Sequence, residues 1–552
     1  MQRVVIVIAA LALAGGCKKK SNEGAPGGAS PGASGSGVAT AGDGTPDGDG
    51  TRSATTDSLG ELKPITECPA ALRDTDKGLR RTIPAGCSTR IEGDYYVDGE
   101  LVIEAGATLA FAPGAAMYVG YGAPAKLTVR GTQAQPVTFT SGGDKVAGAW
   151  KGITIYARSP RSELAGAIVE HASTGLTSEA PDLTVKDSTF RGHQVTAVRV
   201  DDQGTLAAFT GNTFDRPGDV AMSVPPAALV GLGANTFPAD AVIEVRGGSA
   251  RKSGAWRNPG APFRVAGEIY IDAESGKAAI EIAAGNRFLM EGSGALYVGY
   301  TGDAELKVAG TADAPVTFAS AGTAEPGAWE RGIIVYKRGV ASFDHVVVKH
   351  GGASDKAAIR LQEGKLSITN STIEDNVTGV HVDDVGELKA FDHNRMAGNR
   401  EKALELHPRS LGVLGSGNTY AAGQTIVVHG GTVDKASTWL VQPGAVVVVD
   451  GEIYVDGGEA TIPAGATYAF TEAGAIYVGY GKAGRLVVTG TADKPVTFQG
   501  ARDAADAWKG VELYDHSSGS ALAHVVVKGA SLRASETAKI TRTAVTCSPT
   551  KC

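Results

Sequence analysis

The 552-residue chain is poor in the residues that most often advertise chemistry. It holds 5 Cys, 5 Met, 5 Trp and 10 His, and aromatic residues make up 6% of it. No Cys pair has CxxC spacing or companion His residues, and no HExxH string occurs, so a zinc site is excluded. The Gly-rich stretches lack the Gly-Lys-Ser/Thr ending of a phosphate cradle. With 59 acidic against 52 basic residues the net charge is -7, which leaves no basic face for phosphates and excludes nucleic acid as a partner. Beyond Val4–Ala14 there is no long apolar run, and no stretch of helical period with caps. Gly, by contrast, is abundant at 76 residues. That is about twice the usual share of roughly 7%, while the hydrophobic fraction of 42% is that of a globular protein. The composition suits a core interrupted by frequent turns.

Arg3 followed by the short apolar run and small residues predicts a secretory leader, too short to span a bilayer stably. Its ending, Leu13-Ala14-Gly15-Gly16-Cys17, resembles a bacterial lipobox, with Ala14 where Leu is usual. The resemblance implies cleavage after residue 16 and acylation of Cys17, and Lys18 in place of Asp implies the outer membrane. Lys18 to Lys20 suit an anionic surface. Residues 17–60 are then a tether dominated by small and polar residues, which cannot bury enough apolar surface to fold. At about 40 residues its r.m.s. reach is about 35 Å. If Cys17 is lipidated, the other four cysteines form two local pairs, Cys68 with Cys87 and Cys547 with Cys552, and an oxidising compartment makes both disulfides.

The body is repetitive. Trp150, Trp329 and Trp508 mark one series and Trp256 and Trp439 another. Around the first series the strings Leu-x-Val-x-Gly-Thr and Pro-Val-Thr-Phe recur at Leu127, Leu306 and Leu486, each preceded by Tyr-Val-Gly-Tyr at Tyr118, Tyr297 and Tyr477. Two full units of about 180 residues and a shortened third follow from this. Within each unit, short runs of β-branched residues are broken by Gly, Asn, Asp or Pro at a finer period of roughly 20 to 25 residues. Strands at that spacing bury their inward residues only by stacking coil on coil, which predicts a β-solenoid. The expected layout is a cap at 61–92, units at 93–266, 267–450 and 451–530, and a C-terminal cap at 531–552. Roughly twenty coils at about 4.8 Å each make a rod of about 100 Å.

The order of these strings, closing on Trp-x-Gly-Ile, resembles the right-handed parallel β-helix proteins of the pectin-lyase-like superfamily, especially non-catalytic members of bacterial surfaces. The resemblance covers about residues 80 to 530. It implies an all-β, right-handed parallel β-helix of about 2.5 units with disulfide-bearing terminal caps, holding Asn or aliphatic ladders inside.

Because that superfamily includes polysaccharide lyases and hydrolases, acidic pairs matter. Asp201-Asp202 recurs as Asp383-Asp384, each two or three residues before a Gly. Paired carboxylates can serve as acid and base. Adjacent strand residues point to opposite faces, however, and a pair repeated at equivalent places suits a turn better than a singular active site. The His residues, including the equivalent His171 and His350 and the pair His345 and His524, read as isolated surface imidazoles, and the Trp residues as core. Three pairs of Tyr remain. Tyr96, Tyr270 and Tyr454 alternate with inward aliphatics, as do Tyr118, Tyr297 and Tyr477 one coil later, so each pair is expected to stack outside. Such rings suit sugar faces or protein partners; a stabilising cross-strand ladder is the other reading. The expectation is therefore a non-enzymatic envelope lipoprotein without cofactor, metal or catalytic residues, joined to the membrane by its lipid anchor and offering its flank to polysaccharide or envelope protein. A polysaccharide lyase or glycoside hydrolase is the alternative, and a plain spacer a third possibility.

Overall fold

Strand formation follows the two-residue alternation. In Lys126–Arg130, Leu127 and Val129 are buried while Thr128 faces out, and the same holds for Leu486 and Val488 around Val487. Gly or an Asx/His residue of positive φ closes many runs before a helix length is reached. The computed structural model describes residues 59, 61–354, 357–549 and 552. The leader, the tether and the attachment point at Cys17 lie outside the described residues. The rest is a parallel β-solenoid of about 20 turns.

Each coil carries three strands. Ser88–Val97, Glu100–Glu104 and Thr108–Phe111 are followed by Ala116–Val119, Lys126–Arg130 and Val137–Ser141. Each strand pairs in parallel with its counterpart one coil on, as Tyr96 with Tyr118, Leu101 with Leu127 and Leu109 with Phe139. Inward residues form one continuous core, with rings stacked along the axis such as Phe190, Phe214 and Phe237 at 5.5 and 4.5 Å. Buried turns are satisfied by amide ladders: Asn376 Nδ2 donates to Asn399 Oδ1, and Asn399 Nδ2 to Gln424 Oε1. The Trp residues are core. Trp150, Trp329 and Trp508 each donate the indole N–H to a carbonyl twenty residues on, at 2.8 to 2.9 Å.

Cys68–Cys87 and Cys547–Cys552 are disulfides. The disulfide-bearing end segments join the ladder. Lys63–Thr66 pairs with Leu79–Ile83, and Thr541–Ser548 continues the solenoid beyond residue 530 by pairing with Ala521–Lys528.

The registers also reveal how the units are joined. From Tyr96 the column runs through Tyr118, Thr154, Thr177, Arg199, Ser223, Glu244 and Arg264, seven pairings in all. The next member is Leu289, not Tyr270. Tyr270 lies on the adjoining face, paired with Ser249, and that face begins over the 3-10 turn Pro226–Gly231, where a Cβ on Gly248 would meet Pro226, while the strand Leu206–Thr210 continues beside it through the Phe209–Leu232 bridge. The second unit repeats this. Seven pairings lead from Tyr270 through Tyr297, Ile334, Arg360, His381, Glu405 and Val427 to Val448, which then meets Ala469 while Tyr454 starts one face further round. One unit is thus seven coils and one face.

Candidate functional site

The expected Tyr pairs stand outside the core, one coil apart, with ring centroids at 5.2 Å for Tyr96 and Tyr118, 5.0 Å for Tyr270 and Tyr297, and 5.3 Å for Tyr454 and Tyr477. The structure adds two more rings to each pair. Tyr121, Tyr300 and Tyr480, the last residues of Tyr-Val-Gly-Tyr, fold back beside the pair at 5.6 to 5.8 Å from its first ring. Tyr156, Tyr336 and Tyr514 close the group from the next coil, at 5.4, 4.9 and 5.1 Å from those rings. Gly makes this turn possible. Gly120, Gly299 and Gly479 hold φ of 78, 74 and 68°, and a Cβ on Gly120 would sit 2.1 Å from Ser159 Oγ. An Asp then pins the returning loop: Asp98 accepts from the amides of Gly122 and Ala123, and Asp456 from those of Tyr480 and Gly481.

An ion pair borders each group: Asp94 with Lys151 at 3.3 Å, Glu268 with Arg331 at 2.9 Å and Glu452 with Lys509 at 2.7 Å. The acids also accept from tyrosyl hydroxyls, Tyr270 and Tyr297 on Glu268 and Tyr454 on Glu452. Partial burial and the bond to Glu268 push the Tyr270 hydroxyl up. The bond to Glu452, then burial, does the same for Tyr454, and burial with Glu512 brings Tyr514 to about 12. These hydroxyls stay neutral donors at any ordinary pH. Each group is an aromatic surface with a polar rim, its outermost ring 55 to 61% exposed.

Tyr297 departs from the expectation. It points away from the core but is 4% exposed, because the ring packs with Ala295 and Ile334 beneath Tyr270 and Tyr336, and Arg331, one place later after its Trp than Lys151 or Lys509, donates to its hydroxyl. Sequence reasoning missed the second Tyr of each repeated string, the Tyr after Ile153-Thr-Ile, Ile333-Ile-Val and Val511-Glu-Leu, and the basic residue following each Trp. All recur at equivalent places, which was the available signal.

The acidic pairs occupy turns, Gly204 and Gly386 donating back to the carbonyls of Asp201 and Asp383. Their surroundings differ. Asp201 meets Arg199, and Asp202 meets Arg246. Asp383 joins Arg360 and His381, whose other nitrogen meets Glu405, itself bonded to His429 and Lys402 at 2.7 and 2.8 Å. His381, His350 and His193 are buried, so the reading of isolated surface imidazoles fails there: the solenoid brings together positions about 24 residues apart and covers them. Burial works against ionisation of Asp383 and Glu405, but Arg360 and His381 for the first, and His381, His429 and Lys402 for the second, outweigh it and hold both below the usual carboxylate range.

Residues 81–186 match the family model described as a pectate-lyase like beta helix domain. Together with the parallel coil, the match supports placing the chain within the pectin-lyase-like β-helix superfamily. No curated protein shows a significant match to it. Among the described residues no helix is long and apolar enough to cross a membrane, and no group of His, Cys, Asp and Glu has a metal-holding arrangement.

Proposed function

We propose that this chain is an envelope lipoprotein, held to the outer membrane through Cys17, whose β-solenoid binds polysaccharide without turning it over. The observation that carries the reading is the recurrence, three times, of one four-Tyr group outside the core with the same Gly turn and ion pair. A stabilising ladder needs the two stacked rings but not the exposed third, and an exposed aromatic ring beside neutral hydrogen-bonding groups matches the face and rim of a pyranose. The test is a glycan array probed with the detergent-solubilised full chain and with a Tyr121→Ala, Tyr300→Ala, Tyr480→Ala triple variant. Binding lost in the variant at unchanged melting temperature supports the reading, and absence of any binding by the parent refutes it. For the anchor, Cys17→Ser is expected to leave an unprocessed, unacylated precursor; normal processing at the same site would defeat that part.

A second reading, a polysaccharide-active enzyme, draws on the unrepeated cluster of Asp383, His381, Glu405 and His429. Two ionised carboxylates lack the proton that a leaving sugar oxygen requires. His381→Gln abolishing a measurable cleavage of acidic polysaccharide would restore that reading.

A further inference from the structure

The repeated strings of the sequence suggest one long stripe of tyrosines, yet the registers place successive groups on different faces. Seven pairings separate Tyr96 from Arg264 and Tyr270 from Val448, and in each case the next Tyr lies six residues later, across one corner of the coil. The same step separates Arg90, aligned with Ala110 on one face, from Tyr96, aligned with Tyr118 on the next. Seven coils at the inter-strand spacing amount to an axial rise of about 35 Å per unit, with one corner of the coil turned in addition. Three equivalent groups stand on three successive faces, no two in one column.

A single straight chain lying along the solenoid reaches one group only. To engage two it must cross a corner of the coil between them, and the columns it would follow carry unlike residues. Below Tyr118 the outward column of the first unit is Thr154, Thr177, Arg199, Ser223 and Glu244. That of the second is Ile334, Arg360, His381 and Glu405, closed by its own network. Neither continues the aromatic surface towards the next group. Each group has an acid paired to a base at its rim, and further carboxylates stand close by, Asp98, Asp272 and Asp456 at the returning loops and Glu512 on the Tyr514 hydroxyl, so the rims repel an anionic chain.

We infer that the three groups are independent subsites for neutral, β-linked glycan chains, each holding a different chain, so that one molecule of this protein cross-links polysaccharide. This rests on the glycan-binding reading and adds valency and geometry to it. The carboxylates at the rims exclude an anionic chain, the paired bases leave no unmatched anion built for a cationic one, and flat amphipathic rings suit equatorially linked pyranoses that present extended apolar faces. Multivalent engagement then raises the retention of a network without any new contact at a single site.

The test uses the full chain in detergent with cellohexaose and chitohexaose as short probes and hydroxyethyl cellulose as the polymer. Calorimetry with the hexasaccharide is expected to give three sites per chain, falling to two in each of Tyr121→Ala, Tyr300→Ala and Tyr480→Ala and to one in each double variant, with the remaining affinity unchanged within about twofold. The polymer is expected to gain viscosity with the parent and with single variants, and to lose that gain with double variants that still bind it. One site per chain, or loss of all binding on any single replacement, overturns the inference while leaving glycan binding intact. So does three-site binding without cross-linking. Failure of both hexasaccharides and the polymer to bind overturns the inference together with the function beneath it.

Discussion

Replacing Trp329 tests the packing logic of the solenoid most directly. The indole is fully buried and donates to the Lys349 carbonyl at 2.9 Å, and a Cβ on Gly351 would come within 2.5 Å of the ring, so the next coil is shaped to it. Trp329→Ala removes the ring from a close-packed coil, for which about 3 to 5 kcal/mol is expected. Trp329→Phe keeps most of the apolar area but leaves the carbonyl without its donor, at about 1 to 3 kcal/mol. The equivalents sharpen the comparison. Trp150 and Trp508 also stack on Phe111 and Phe470 at 4.0 Å, whereas the position matching Phe111 in the second unit is Met290. Trp150→Ala is therefore expected to cost about 0.5 to 1.5 kcal/mol more than Trp329→Ala. Because coils contact only their neighbours, hydrogen exchange should show the loss near Val316–Ser320 and Ile333–Val335, with the coils around Ser88–Val97 unaffected. Urea unfolding with peptide-resolved exchange gives both numbers. A change below about 1 kcal/mol for Trp329→Ala, or uniform loss along the chain, would refute the reasoning.

Three further outcomes are expected. Burial brings the His193 imidazole down from 6.5 to about 4, opposed only in part by the nearby carbonyls of Ala172 and Val169. Between those values the unfolded chain takes up a proton that the folded one refuses, so stability falls by roughly 3 kcal/mol as pH drops from 6.5 to 4 and levels off below, and His193→Gln should remove that slope in pH-dependent denaturation. Tyr297→Ala is expected to cost about 1 to 3 kcal/mol through its covered ring and lost bonds to Glu268 and Arg331, while Tyr300→Ala changes the melting point little; equal costs would mean that the two rings do not differ in burial as described. Removing the Cys68–Cys87 bridge, which spans 19 residues, should cost about 3 kcal/mol by loop closure, and free thiols in non-reducing peptide mapping would contradict the bond itself.

Much of the architecture was legible before any coordinates, because strand alternation, turn residues and recurring strings are local properties of the text. Leu127 and Val129 announce an inward face by spacing alone, and the four cysteines pair over short separations. The Tyr pairs followed from the same rule. What exceeded that rule was the arrangement of side chains from separate coils. Arg331 reaches the Tyr297 hydroxyl only because one coil lies on another, and His381 reaches Glu405 across 24 residues of chain. The sequence by itself determined that a coil forms, how long it is and that its surface features recur in three copies. The tertiary structure alone decided where those copies face, since a repeat of seven coils and one further face turns each copy relative to the last, and no string of residues records that remainder until the strands are in register.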